Sequence, residues 1–153
     1  MEYIIKTSSP EESQALGEKI GSSLNGTEII ALYGGLGMGK TTFTRGLAKG
    51  LEVDYRDISS PTFALVHEHE GRSMLYHFDM YRVESMEDLY STGFFDYLGT
   101  GVIVIEWSEN IEFALPEDII RIDISRSDSE EGRVFRINTD KDIGVSEYEN
   151  TCN

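Results

Sequence analysis

The chain has 153 residues, 39% of them hydrophobic and 27% charged, ordinary usage for one globular domain of a size that buries roughly 70% of its unfolded surface. With 28 acidic against 13 basic residues the formal charge is −15, a field that repels a bare polyanion and argues against direct RNA binding unless the basic residues cluster. No apolar run approaches the roughly 20 residues of a membrane span; the single cysteine, Cys152, excludes an intramolecular disulfide, and MEYIIKTSSPEES lacks the basic and apolar regions of a secretory signal, so a cytoplasmic location is expected.

In chain order, MEYIIKT alternates weakly and predicts a strand. SSPEESQALGEKIGSSL predicts a helix, with Ser9 as N-cap, Pro10 at the first helical position, Glu11 and Glu12 at the positive end of the dipole, and Asn25-Gly26 as the stop. TEIIALY is a short, continuously apolar strand of the kind covered on both faces in a parallel sheet. After a glycine-rich stretch, Lys40 to Gly50 predicts a helix with Phe43, Leu47 and Leu51 on one face.

ALVHEHE and SMLYHFDMYRV, joined at Gly71-Arg72, predict a β-hairpin. Glu84 to Leu98 has helical spacing interrupted at Gly93, and VIVIEW is a second fully apolar strand. DIIRIDIS and RVFRINT are two alternating strands around the acidic turn RSDSEEG. A single domain is expected over 1–144, followed by a polar, disordered tail over 145–153.

The glycine-rich stretch is GGLGMGKT. Gly34-x4-Gly39-Lys40-Thr41, between a strand and a helix, fits a phosphate-binding loop in its required context. The backbone of Gly34, Gly35, Leu36, Gly37, Met38 and Gly39 would turn its N–H groups inward, and the helix N-terminus adds partial positive charge. Lys40 would reach the β- and γ-phosphates and Thr41 would offer its hydroxyl to Mg2+. The fold class that follows is α/β, a P-loop NTPase three-layer sandwich with a central mixed, largely parallel sheet.

A magnesium-nucleotide site also needs carboxylates at strand ends. Glu106 closes VIVIE and Asp79 closes MLYHFD. At about 4 Å two such groups repel by about 4 kcal/mol at an effective dielectric of 20, so their convergence makes sense around a cation. Glu106 is assigned to Mg2+, directly or through water, and Asp79 to the γ-phosphate side, with the two roles exchangeable; Asp79, Glu106 and Lys40 form the candidate catalytic set. Ser60-Pro61-Thr62 occupies the place of a γ-phosphate-sensing switch or a plain loop. Trp107 is expected on the strand face opposite Glu106, either packed in the core or in contact with a partner or nucleotide, and His67, His69 and His77 are expected to be structural. Tyr81-Arg82 offers a guanidinium to phosphate or to a surface acid.

Taken together, GGLGMGKTTFTRG, SPTFALV, YHFDMYR and VIVIEWSE, in this order, resemble the TsaE (YjeE) family from about Ser8 to Arg136. The resemblance implies a small ATPase that binds ATP and Mg2+, hydrolyses ATP slowly alone, and works with TsaB and TsaD in making threonylcarbamoyladenosine in tRNA, TsaD transferring the threonylcarbamoyl group. Residue by residue, it implies a metal-linked threonine at Thr41, a second loop threonine at Thr42, the nucleotide-site aspartate at Asp79, the metal-linked glutamate at Glu106 and its adjacent tryptophan at Trp107. It also implies nucleotide contacts near Thr7 to Glu11 and at Arg133. One departure stands out: Gly35 occupies a position where the family usually has Asp, which puts in doubt any role of that acid in docking or turnover.

The acidic surface favours action through protein partners, with tRNA reached indirectly and a nucleotide-ordered switch segment as the device. The alternatives are a small-molecule kinase on the same fold, for which no arginine-bearing lid is visible, and a nucleotide-dependent interaction module without required turnover. A GTP switch lacks its guanine-reading Asn/Thr-Lys-x-Asp sequence.

Overall fold

The computed structural model describes residues 1–35, 37–58 and 66–146. Leu36 and Ser60-Pro61-Thr62 lie outside these residues, as does the part of the expected tail from 147 onward.

Strands β1 (Glu2–Thr7), β2 (Ile29–Tyr33), β3 (Val66–His69), β4 (Leu75–Asp79), β5 (Val102–Glu106), β6 (Ile120–Arg126) and β7 (Arg133–Asn138) form one sheet in the order β1-β7-β6-β2-β5-β4-β3. Its centre, β6-β2-β5-β4, is parallel; β7 and β1 on one side and β3 on the other are antiparallel. Alternation along the central strands feeds two cores. Ile30, Leu32, Val102 and Val104 face α1 (Pro10–Ser23) and α2 (Lys40–Gly50), while Ile29, Ala31, Ile103 and Ile105 face α3 (Met86–Ser91), α4 (Phe94–Tyr97) and a 3-10 stretch, Ser108–Ala114. Both faces of β2 and β5 are covered, which is why IIAL and VIVI are continuously apolar. The expected α/β three-layer sandwich with a mixed sheet is the fold observed.

Local chemistry accounts for the element ends. The Ser9 hydroxyl accepts from the Glu12 amide at 3.2 Å with Pro10 in the first turn, and Ser85 does the same for Asp88 at 3.1 Å. Gly93, at φ 77°, is the turn between α3 and α4. The core extends further along the chain than the composition suggests: Ile143 and Val145 are buried against α1 and the sheet, so Val145 does not belong to a polar tail.

The feature that fixes α2 is a glycine seam. Gly17 and Gly21 on α1 meet Gly46 and Gly50 on α2 so closely that a Cβ on Gly46 would lie 2.0 Å from the Gln14 carbonyl oxygen. The corresponding distances are 2.4 Å from Gly17 to the Phe43 oxygen, from Gly21 to that of Leu47 and from Gly50 to that of Glu18. At the far end of the pair the Arg72 guanidinium donates to the carbonyls of Gly21 at 2.9 Å and Leu24 at 3.1 Å, with Gly50 at 3.4 Å. A cation therefore sits where both helix dipoles are negative. Phe43 and Leu47 carry the pair onto the sheet, Phe43 packing on Phe135 at 5.2 Å.

Candidate nucleotide site

The site lies beyond the carboxyl ends of the parallel strands, where β2 runs into the loop that starts α2. The loop takes its shape from glycine. Gly34 (φ 139°), Gly37 (φ 76°) and Gly39 (φ 95°) adopt backbone angles that L side chains avoid, and a Cβ on Gly34 would lie 2.7 Å from the Ile124 carbonyl oxygen of β6. Over Gly35, Gly37 and Gly39 the opposite holds: a Cβ would meet nothing within 4 Å among the described residues. The loop thus has one face pressed on the sheet and one face open, the shape a phosphate group needs. Gly35 stands on the open side outside the left-handed region, so the loop does not depend on which side chain that position carries.

Arg133, the first residue of β7, braces the loop from outside. Its Nε donates to the Met38 carbonyl at 3.0 Å and an Nη to that of Gly37 at 3.3 Å. Because N–H and C=O of a trans peptide point opposite ways, holding these two oxygens turns the amides of Met38 and Gly39 away from Arg133. The resemblance assigned Arg133 to the nucleotide; here its guanidinium bonds the loop carbonyls and, through its other terminal nitrogen, the carbonyls of Glu130 at 2.8 Å and Gly132 at 2.7 Å. In the N-terminal segment Thr7 is buried with its hydroxyl 2.7 Å from that of Ser13, and Ser9 is committed to the α1 cap.

Lys40 begins α2, and its ammonium folds back over the loop, donating to the Gly34 carbonyl at 2.8 Å and lying 4.9 Å from the centre of the Trp107 ring. Thr41 and Thr42 follow, half-buried in the first turn, and the Thr44 hydroxyl bonds the Lys40 carbonyl at 2.8 Å. Trp107 packs, as alternation predicts, against the core that holds Ile103 and Ile105; the chain leaves β5 there with φ 62°, and the indole also lies 4.9 Å from the Tyr81 ring and beside Lys40. Tyr81 and Arg82 are exposed, and Asn110 Nδ2 holds the carbonyls of Met80 and Tyr81 at 2.9 and 3.1 Å.

The two carboxylates expected to converge are register partners on adjacent parallel strands, Asp79 on β4 opposite Glu106 on β5. Glu106 is buried and Asp79 half-buried. Burial, together with the Glu106 charge, holds the Asp79 carboxyl above its usual range, against the opposing effects of the Tyr81 amide, His77 and the Lys40 ammonium. Glu109, at the mouth of the site, is also raised by burial and lowered in part by Lys40. A raised folded-state value means that the folded protein holds this proton more tightly than the unfolded chain. The contribution is therefore stabilising at low pH and is lost as pH rises through the folded value. Asp79→Asn is accordingly expected to raise the melting temperature of the nucleotide-free protein in EDTA by about 2 °C at pH 7, solvent screening keeping the gain small. The gain should vanish below about pH 4; a melting temperature that falls at neutral pH would contradict this electrostatic account.

Sequence reasoning missed two contributors. His77, read as structural, is completely buried with Nε2 2.6 Å from Glu106 Oε2. Its signal was parity: residues 77 and 79 share a strand face. The second is Tyr33, the last residue before the loop, whose hydroxyl donates to Glu112 and accepts from Arg121 at 2.8 Å, Arg121 also pairing with Glu112. Burial and the bond to Glu112 push the Tyr33 hydroxyl upward. This triad ties the 3-10 stretch to the end of β2.

A strand-loop-helix cradle with a returning lysine, set against acids on the neighbouring parallel strands, defines a P-loop nucleotide-binding protein. Comparison with known proteins gives the family. A family model described as "Threonylcarbamoyl adenosine biosynthesis protein TsaE" matches residues 7–135. A protein of Treponema pallidum named "tRNA threonylcarbamoyladenosine biosynthesis protein TsaE" is 40% identical over 117 residues, 76% of this chain and 86% of that protein. A Bacillus subtilis protein of the same name is 38% identical over 131 residues, 84% and 81% of the two chains. The crystal structure of Bacillus subtilis YdiB superposes with a TM-score of 0.70 at 31% identity, covering 97% of this chain and 89% of that one. The chain belongs to the TsaE family, which takes part in tRNA threonylcarbamoyladenosine biosynthesis.

Proposed function

We propose that the protein is an ATPase that binds ATP with Mg2+, turns it over slowly alone, and uses that cycle to switch or reset a complex of TsaB- and TsaD-type proteins during threonylcarbamoyladenosine modification of tRNA in the cytoplasm. The observation that carries this reading is the open glycine cradle with the Lys40 ammonium at its mouth, facing Asp79 and Glu106 at one level of adjacent strands.

In this reading the loop amides and Lys40 bind the phosphates. The Thr41 hydroxyl and Glu106 hold Mg2+, whose charge offsets that of the phosphate oxygens. Asp79 orients water on the γ-phosphate side, and Thr42 completes the first turn around the phosphates. No helix among the described residues is long and apolar enough to cross a membrane. The surface charge of −15 supports contact with tRNA through partners, not directly.

ATP hydrolysis measured with the purified chain, then with TsaB- and TsaD-type proteins added, tests the reading. Slow turnover alone and a clear rise with both partners is the expected result. Tight ATP binding with turnover indifferent to the partners would favour a binding module, and absence of ATP binding would end the proposal.

A further inference from the structure

We propose that His77 is the positioning residue for Glu106, committing one carboxylate oxygen so that the other alone faces the magnesium shell; this deepens the function proposed above and rests on it. Asp79 and Glu106 are opposite each other in the register, whereas His77 lies one pleat step back on β4, opposite Val104. Glu106 Oε2 sits 2.6 Å from His77 Nε2, so one carboxylate oxygen of Glu106 is engaged diagonally across the strand pair by a residue one pleat step behind Asp79.

The other ring nitrogen shows that the contact is what orients the imidazole. His77 Nδ1 is buried and has no hydrogen-bond partner among the described residues, an arrangement tolerated for a bare lone pair much better than for an N–H. The ring proton therefore belongs on Nε2, donated to the carboxylate, which is a fixed donor to an acceptor-only group. A histidine kept only as core filling has no reason to face a carboxylate at 2.6 Å while leaving its second nitrogen unsatisfied. The ring is completely buried and beside the central strands, so it cannot swing away, and Glu106 inherits that rigidity. Groups behind a metal ligand act in this way, and their loss costs about 10- to 100-fold in metal affinity or activity.

The test uses the full chain with two variants. His77→Leu keeps an apolar filling without a donor; His77→Gln places an amide N–H near the position of Nε2. Binding of a non-hydrolysable ATP analogue is read from Trp107, the sole tryptophan, in EDTA and across a Mg2+ titration. His77→Leu should bind the analogue in EDTA within about twofold of the parent but require about 10-fold more Mg2+ for half-saturation. Its kcat should fall while KM for ATP at saturating Mg2+ is unchanged, and His77→Gln should recover most of both losses. Long-range 1H–15N imidazole spectra of the parent should show His77 protonated on Nε2.

A His77→Leu protein with parental Mg2+ dependence, a His77→Gln protein no better than His77→Leu, or a His77 protonated only on Nδ1 would each overturn the proposal. If His77→Leu does not fold, His77→Gln decides: near-parental Mg2+ dependence supports the assignment and a 10-fold loss refutes it. Failure of the parent itself to show Mg2+-dependent nucleotide binding would instead bring down the function on which the inference rests.

Discussion

Replacing Lys40 with alanine is expected to weaken ATP binding by about 100-fold or more, measured by calorimetry, because the ligand loses its charge-assisted contact to the terminal phosphates. The ligand-free structure refines this expectation. Lys40 is not waiting in solvent: its ammonium already has the Gly34 carbonyl at 2.8 Å and the Trp107 ring at 4.9 Å. Nucleotide must replace those partners, so the measured loss reports the difference between phosphate and this resting arrangement. Alanine also removes the stem that covers the loop, and some loss of thermal stability without ligand should accompany it. Lys40→Met separates the two effects, since it keeps an apolar stem beside Trp107 while removing the charge. Both variants should bind ATP poorly, with Lys40→Met melting closer to the parent. Parental ATP turnover in Lys40→Ala would remove the basis for placing phosphates in this loop.

Gly46→Ala is expected to be strongly destabilising. Alanine in a helix normally gains about 1 kcal/mol over glycine, yet here the new methyl carbon would lie 2.0 Å from the Gln14 carbonyl oxygen and 2.9 Å from the Glu18 nitrogen. Both atoms are backbone of α1, so relief requires the helices to part along their whole seam. Overpacking of this kind costs about 1–3 kcal/mol and sometimes more, so the net change should lower the melting temperature by about 5 °C or more. Gly35→Ala is the control: no described residue lies within 4 Å of its Cβ and its backbone is outside the left-handed region, so its melting temperature should stay within about 1 °C of the parent. If Gly46→Ala melted with the parent, the seam would be far more yielding than its distances indicate.

The candidate site could be picked out in the sequence because a phosphate loop is a local object. Its glycines, Lys40 and Thr41 are consecutive, and the elements on either side carry their own periodicity. Asp79 and Glu106 were found by the same logic, as acids closing apolar strands, although nothing in the sequence says that β4 and β5 are neighbours or that the two residues share a level.

What escaped required knowing which elements meet. Four glycines at four-residue spacing on two helices are unremarkable until the helices are placed together. His77 was hidden by its strand, since only the position of Glu106 gives the ring a partner. Alternation gives the core that Trp107 packs against, but not its nearness to Lys40 and Tyr81, since the chain leaves β5 at that residue. Arg133 was reached through family likeness, and its bonds to the Gly37 and Met38 carbonyls could not be inferred from composition or spacing.

Arg72 sits at the opposite end of α1 and α2 from the loop, yet its guanidinium grips carbonyls from both helices. A survey ranking positions by their distance from the cradle would set it aside as peripheral. Mechanically it belongs to the foundation on which Lys40 stands, because any splaying of the helix pair at that end is transmitted along a seam with no slack to absorb it. Variation in nucleotide handling among proteins built this way can thus originate in a turn that never approaches the ligand.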